Sequence, residues 1–335
     1  MPLSRKSSLF VFLIFLTILL FIWDLGVGSV AIPFREVLYT LAGHSESELS
    51  SRIIINIRLS KALVALVAGA ALSVSGLQMQ TLFRNPLAGP YVLGISSGAS
   101  LGVALFILGM PVLGISAASV SFGMAGAAWL GSAVILVVIG FLSQRIKDIM
   151  VILILGMMFS SGVSAIVQIL QYLSQDDALK AFVIWTMGSL GDVTSSQLPL
   201  LMTAVLAGLI LAIFTVKPLN QLLLGEEYAL TLGMNIKRSR SLLFLSTTLL
   251  AGTVTAFCGP IGFIGMAMPH VTRMLFDTTD HRILVPANIL TGGCIMIVCD
   301  LISKIWVIPI NAITSLLGIP IIIFVVIKAQ THKAF

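Results

Sequence analysis

Long uninterrupted apolar runs dominate this chain, in place of the alternation of a strand or the one-sided stripe of a surface helix. They recur near residues 9–27, 60–82, 94–109, 115–141, 149–172, 197–216, 240–258, 264–276, 283–305 and 309–328. Most approach the ~20 residues that carry a helix across a bilayer. A backbone in hydrocarbon must satisfy its own polar groups, so such runs predict helices. The ~10-residue alternating segments of a membrane β-barrel are not seen. The pattern therefore predicts an all-α polytopic membrane protein of about ten transmembrane helices, the third and eighth short for a full crossing. No linker or low-complexity stretch divides residues 1–335, so a single transmembrane domain is expected. The first run follows Arg5 and Lys6, and the small residues of "GVGSVA" after it would suit signal cleavage. The run is longer than a usual signal-peptide core, so an uncleaved first span is expected.

Composition agrees. Of the 335 residues 58% are hydrophobic and 10% charged, with mean hydropathy +1.10, against roughly 25% charged in soluble chains. With the N-terminus placed inside, 13 of the 19 Lys and Arg fall on the inner side. Arg35, Arg52, Arg58, Lys61, Lys180 and Lys304 fall outside. This asymmetry predicts that both termini are cytoplasmic. The net charge of +6 reports that orientation and requires no nucleic acid. Cys258, Cys294 and Cys299 lie in apolar segments without metal-ligand spacing and read as packing residues.

One apolar segment is built against the helix. "GPIGFIGMAMPHVTR" (residues 259–273) holds three glycines and two prolines, then ends on a His and an Arg. A faint repeat gives it a counterpart. "AGAALSVSG" (68–76) and "AGTVTAFCG" (251–259) share their Ala-Gly start and final Gly, and Pro86 and Pro269 each follow ten residues on. In the topology above the two copies are inverted, as in many transporters with broken helices. The expected break comprises Gly259, Pro260, Pro269, His270 and Arg273, with Pro269 starting a short helix.

The charges then narrow the function. Of thirteen acidic residues, eleven fall in loops or flanks, and Asp24 and Asp300 sit toward outer helix ends. A carboxylate in mid-membrane, which proton- or sodium-coupled transport would need, is not found. No "HExxH" and no recurring Ser/His or Asp/Asp pair offers intramembrane catalysis, and no "GxxxxGK[ST]" offers a P-loop. Uphill transport by this chain would need energy from a partner. The longest inner loop, residues 217–241, mixes apolar residues with Glu226, Glu227 and a basic end. Two short amphipathic helices broken at Gly225 and Gly233 are expected there.

Four ordered stretches resemble the FecCD-type permeases, the membrane subunits of type II ABC importers for ferric siderophores, haem and cobalamin. They are "LVAGAALSVSGLQMQTLFRNPLAGPYVLGISSGASLG", "LGEEYALTLGMNIKRSR", "GPIGFIGMAMPHVTRML" with its continuation "DHRILVPANILTGGCIMIVCDLISK", and "AITSLLGIPIIIFVVIK". The resemblance spans residues 50–329. It implies ten spans per subunit, a second permease copy or paralogue, two cytoplasmic ATPases that bind the ATP, and an extracytoplasmic binding protein. It implies that the chain binds no cofactor itself, sits in the inner membrane of a prokaryote, and moves a bulky iron chelate, first a ferric siderophore. Haem, cobalamin or an oxyanion are alternative cargoes, and an ion-coupled secondary transporter is the rival of a different class. The family's ATPase-coupling positions carry over to Leu224, Gly225, Glu226, Glu227, Ala229, Leu232 and Gly233. Its binding-protein docking positions carry over to Arg58, Lys61 and Lys304, although Lys at 61 and 304 replaces a usual Arg, a point charge in place of a fork.

The fifth span carries Ser160, Ser161, Ser164, Gln168 and Gln171 at helical spacing, with Met157 and Met158 beside them. This set reads as a translocation path, with interhelical hydrogen bonding the alternative. Gln80, Asn311, Thr314 and Ser315 are added to the path on the same grounds. His270 reads as a structural histidine in preference to a metal or haem ligand. Arg273 is expected to snorkel toward inner headgroups or pair with Asp277.

Overall fold

A computed structural model describes residues 5–28, 30, 32–44, 48–109 and 120–331. Residues 115–119 of the expected fourth span, and Glu46 and Lys333, lie outside them. Among the described residues every regular element is helical. The order is α1 (Arg5–Gly26), α2 (Phe34–Leu41), α3 (Glu48–Arg52), α4 (Ser60–Leu82), α5 (Ile95–Ala104), α6 (Val120–Arg145), α7 (Ile149–Leu173), α8 (Asp176–Thr186), α9 (Leu198–Leu222), α10 (Glu226–Thr231), α11 (Ile236–Thr247), α12 (Thr253–Cys258), α13 (Ile264–Phe276), α14 (His281–Trp306) and α15 (Ile310–Thr331). π-type turns at Ile53–Leu59 and Thr248–Gly252 join α3 to α4 and α11 to α12.

Seven helical segments are long and apolar enough to cross a bilayer. The shorter α5 with its π turn, α13 and α15 complete the ten runs seen in the sequence. Two things differ from expectation. The short helix α8 was hidden in a polar-to-apolar transition, and the 217–241 loop is smaller than it looked. α9 runs through Pro218 to Leu222, and Ile236 already begins the next span. One short helix, α10, therefore stands between Gly225 and Gly233 where two were expected.

The core sits around α4, which is buried along nearly its whole length. A helix enclosed on all sides needs no polar face, and α4 shows none. α14, α13, α9 and α11 pack around it, and α5 pairs with α6. Between helices in lipid there is no hydrophobic drive to associate, so close contact rests on small residues. Gly69 of α4 meets Gly292 of α14 backbone to backbone, and Gly98 of α5 meets Gly131 of α6.

The closest crossing is Gly76 of α4 against Gly265 of α13, where any Cβ on Gly76 would collide with the Gly265 carbonyl. Pro269 explains the geometry. Lacking an N–H, it leaves the carbonyl four residues back without its helical partner, and that carbonyl is turned onto the bare Gly76 Cα. Pro269 thus lies inside α13 and does not start it, contrary to the sequence reading. The repeat aligns glycines but not helix ends: α4 continues past Gly76 to Leu82, whereas α12 stops at Cys258, before Gly259.

Candidate functional site

On α7 the residues Met157, Ser161, Ser164 and Gln168 are spaced by four, three and four, so they share one face. All four are exposed. α7 carries no charged residue. The face beside the stripe is fixed at Gly156, which packs on the backbone of Val92 and Leu93. Ser160 turns partly inward and donates to Gly156 O at 2.9 Å, while Ser161 donates to Met157 O at 3.1 Å. An uncharged polar stripe halfway along a spanning helix, exposed beside the face that packs on its own core, has no use against lipid. It suits a wet path or a partner helix.

Residues 259–263 cross without helical hydrogen bonds. Gly259 adopts φ +73°, and a Cβ there would collide with the Trp185 carbonyl in the last turn of α8. Phe263, a non-glycine, also has φ +65°. The freed backbone groups find partners nearby. Ser189 N donates to Cys258 O at 2.8 Å, Tyr91 Oη donates to Ile261 O at 2.7 Å, and Gly262 N donates to Asn311 Oδ1 at 3.0 Å. A non-helical segment at membrane depth survives only when clothed in this way. Asn311, expected on the path, is therefore the clasp of the break. Thr314 is fully buried, and Thr314 and Ser315 both donate to Asn311 O.

His270 and Arg273 lie inside α13, not at the break. His270 Nε2 lies 2.7 Å from Pro86 O, an acceptor only, so Nε2 carries the proton and tethers the 83–89 loop. Arg273 neither snorkels nor pairs with Asp277. It donates to Gln80 Oε1 at 2.7 Å, and Gln80 Nε2 donates to Met266 O at 2.8 Å. Gln80 is buried between α4 and α13 and does not face a path. Gln78 likewise bonds Thr215, Ser246 and Thr247, joining α4, α9 and α11. Hydrogen bonding, the alternative weighed for Gln80, is what the structure shows for both glutamines.

At the inner end, as the Lys and Arg count defines it, α10 stands out as a knob. Leu224, Tyr228, Leu230 and Leu232 are exposed, whereas Ala229 is buried beneath them. Gly225 at φ +104° turns the chain into this helix and Gly233 at φ +78° turns it out. Glu226 is not free on the surface. Both of its oxygens accept from Arg240 Nη2 at 2.7 and 2.9 Å, and Arg240 also donates to Ile146 O and Lys147 O in the turn between α6 and α7. Arg240 is 3% exposed. No local pattern marks this role, because "KRSR" reads as ordinary inside charge. Nearby, Asp280 caps α14, and the bonds it accepts from Arg282 N and Asn220 hold its carboxyl below the usual carboxylate range.

At the outer end the three expected docking cations are occupied. Arg58 is buried and donates to Leu25 O, Gly26 O and Val30 O, closing the C-terminal end of α1. Lys304, 7% exposed at its side chain, bridges Asp24 at 2.6 Å and Asp300 at 2.8 Å. Lys61 meets Asp300 at 3.0 Å. Both carboxylates are fully buried, so the lysines serve them first and tie α1, α4 and α14 together. Only Lys61 keeps about a quarter of its side chain exposed. Burial withdraws Arg58 and Lys304 from docking. Among the described residues no group of three or more His, Cys, Asp or Glu could hold a metal.

A bundle of spanning helices with an uncharged polar stripe exposed on one helix and an apolar knob at one end fits the membrane subunit of a transporter. A model of the FecCD transport family matches residues 16–328. The hemin transport system permease HmuU of Yersinia pestis is 36% identical over 328 residues, which cover 96% of each chain. The vitamin B12 import system permease BtuC of Salmonella paratyphi A is 35% identical over 278 residues, 82% of this chain and 83% of that one. A solved metal-chelate type ABC transporter in an inward-facing conformation superposes with TM-score 0.83 at 29% identity, covering 96% of this chain and 99% of that chain. The protein belongs to the FecCD transport family and is a multi-pass ABC transporter permease.

Proposed function

We propose that this chain imports a bulky metal chelate, working as one permease unit in a dimer with a second copy or a paralogue. The observation that carries the proposal is the uncharged stripe Met157–Ser161–Ser164–Gln168 on an exposed helix face. Placed against the same face of a second subunit, it would line a path for a large ligand without trapping an ion. Alternating access is powered by two cytoplasmic ATPases, which bind the ATP and dock on the α10 knob through Leu224, Tyr228, Leu230 and Leu232. Gly225 and Gly233 set the knob's angle. A binding protein delivers the cargo from outside, where Lys61 is the one docking candidate that keeps exposure. Both termini face the cytoplasm in the inner membrane of a prokaryote.

A ferric siderophore is the cargo the sequence suggests first. Haem is the second reading, favoured by the likeness to a hemin permease over nearly the full length of both chains. The test is uptake into proteoliposomes holding the assembled transporter, with radio-iron siderophore, haem and cobalamin compared. Uptake of one of them that needs ATP supports the proposal. Uptake driven by an ion gradient with no ATPase present overturns it.

A further inference from the structure

Two exposed stripes, on α9 and α11, converge at the inner end on basic residues. On α9, Leu206, Ile210, Ile213 and Phe214 are exposed, and Lys217 continues the same face one turn on. On α11, Leu245 and Leu242 lead back along one face to Arg238. Between the two lies a cavity of about 660 Å³ that both stripes line. Phe214, Leu242 and Leu245 are among its apolar lining. Lys217 and Arg238 line it with the polar Gln221, Asn235, Ser239 and Ser241, and no acidic residue does. Among the described residues neither cation has an ion-pair partner. By contrast the next cation along α11, Arg240, is buried on Glu226.

We infer that this groove between α9 and α11 is a binding site for an anionic phospholipid of the inner leaflet. The phosphate sits between Lys217 and Arg238, and an acyl chain lies along Phe214, Leu242 and Leu245. Charge complementarity selects an anion, and the apolar side chains of Phe214, Leu242 and Leu245 select one that carries a chain. A soluble phosphate would leave those side chains wet, and a zwitterionic lipid would bring a cation of its own beside the two already there. The occupant would brace α9 against α11 directly beside the α10 knob, so its presence bears on how firmly the knob is held. The assignment to the inner leaflet rests on the orientation proposed above, but the test below does not.

The test uses the full chain in nanodiscs of equal phosphatidylglycerol and phosphatidylcholine, followed by native mass spectrometry of retained lipid. A basic residue near the headgroups is worth about fivefold, so the two together predict roughly 30-fold enrichment of phosphatidylglycerol. Lys217→Gln with Arg238→Gln abolishes that enrichment, and Phe214→Ser with Leu245→Ser reduces retention with both charges in place. Both cations are exposed, so the melting temperature in pure phosphatidylcholine stays at the wild-type value for the charge variant. No enrichment in wild type, or enrichment that the variants leave intact, overturns the inference. So does displacement of the lipid by inorganic phosphate, which marks a soluble-anion site. Loss of co-purifying ATPase in the charge variant with lipid retention unchanged would assign the groove to the ATPase and also overturn it. A nanodisc offers both leaflets, so failure here is separate from failure of the proposed orientation.

Discussion

Arg240 connects three pieces of the inner end that no local pattern relates: the α10 knob through Glu226, the turn after α6, and the start of α11. That turn leads directly into α7, so under the proposed coupling a push on the knob would reach the stripe-bearing helix through one guanidinium. A lysine cannot reproduce the contact, since its donors radiate from one nitrogen whereas these partners are reached from both Nη1 and Nη2 of the guanidinium fork. Arg240→Gln and Arg240→Lys are both expected to keep the ATPase bound, because the exposed knob side chains are untouched, yet to lower cargo moved per ATP hydrolysed. An unchanged transport-to-hydrolysis ratio in reconstituted vesicles would remove Arg240 from the mechanism. Lys304 gives the corresponding case outside. Lys304→Met strands buried Asp24 and leaves buried Asp300 to Lys61 alone, and losing one side of a buried pair costs about 3–5 kcal/mol. Adding Asp24→Asn and Asp300→Asn should recover most of that loss in a detergent thermal melt. If the triple variant melts no higher than Lys304→Met, the network is not what destabilises the single variant.

At the scale of an element, α13 shows how a proline inside a helix is put to use. The carbonyl it frees becomes a contact surface, and α4 meets it with glycine. Gly76→Ala is therefore expected to destabilise by at least the upper part of the usual overpacking cost of about 1–3 kcal/mol. The obstacle is backbone, which cannot swing aside as a side chain would. A melting temperature equal to wild type would show that α4 and α13 can separate freely. α7 makes a different prediction. Single cysteines at Ser161, Ser164 or Gln168 should react with a water-soluble maleimide, and one at Ile166, on the opposite face, should not. The native cysteines are buried and should stay silent. Equal reactivity on both faces would mean that the stripe is not a path. The stripe was legible in the sequence because helical spacing is local. The roles of Gln80, Asn311 and Thr314 were not, because a polar residue in an apolar run looks the same whether it faces a path or a neighbouring helix.

For the whole molecule, the energy source follows from where the charges end up. Asp24 and Asp300 are the carboxylates buried within spanning helices, and both are held by lysine. Neither is free to load and release a proton or sodium ion. Collapsing the proton and sodium gradients should leave ATP-driven uptake into proteoliposomes unchanged. A loss of uptake under those conditions would restore ion coupling as a reading.

The amino-acid sequence by itself determined the helical class, the ten apolar runs, the family and the glycines around α10. Hydropathy over ~20 residues and turn chemistry at glycine are local properties, and lipid leaves the backbone few other choices. Only the tertiary structure decided which residues these features serve. It moved the break to 259–263, placed Pro269 inside a helix, turned Glu226 onto Arg240 and withdrew Arg58 and Lys304 from the outer surface. Each of these depends on a partner far away in the chain, from Glu226 with Arg240 to Lys304 with Asp24. In a segment where every neighbour is apolar, the sequence carries no mark of which helix a polar group will meet.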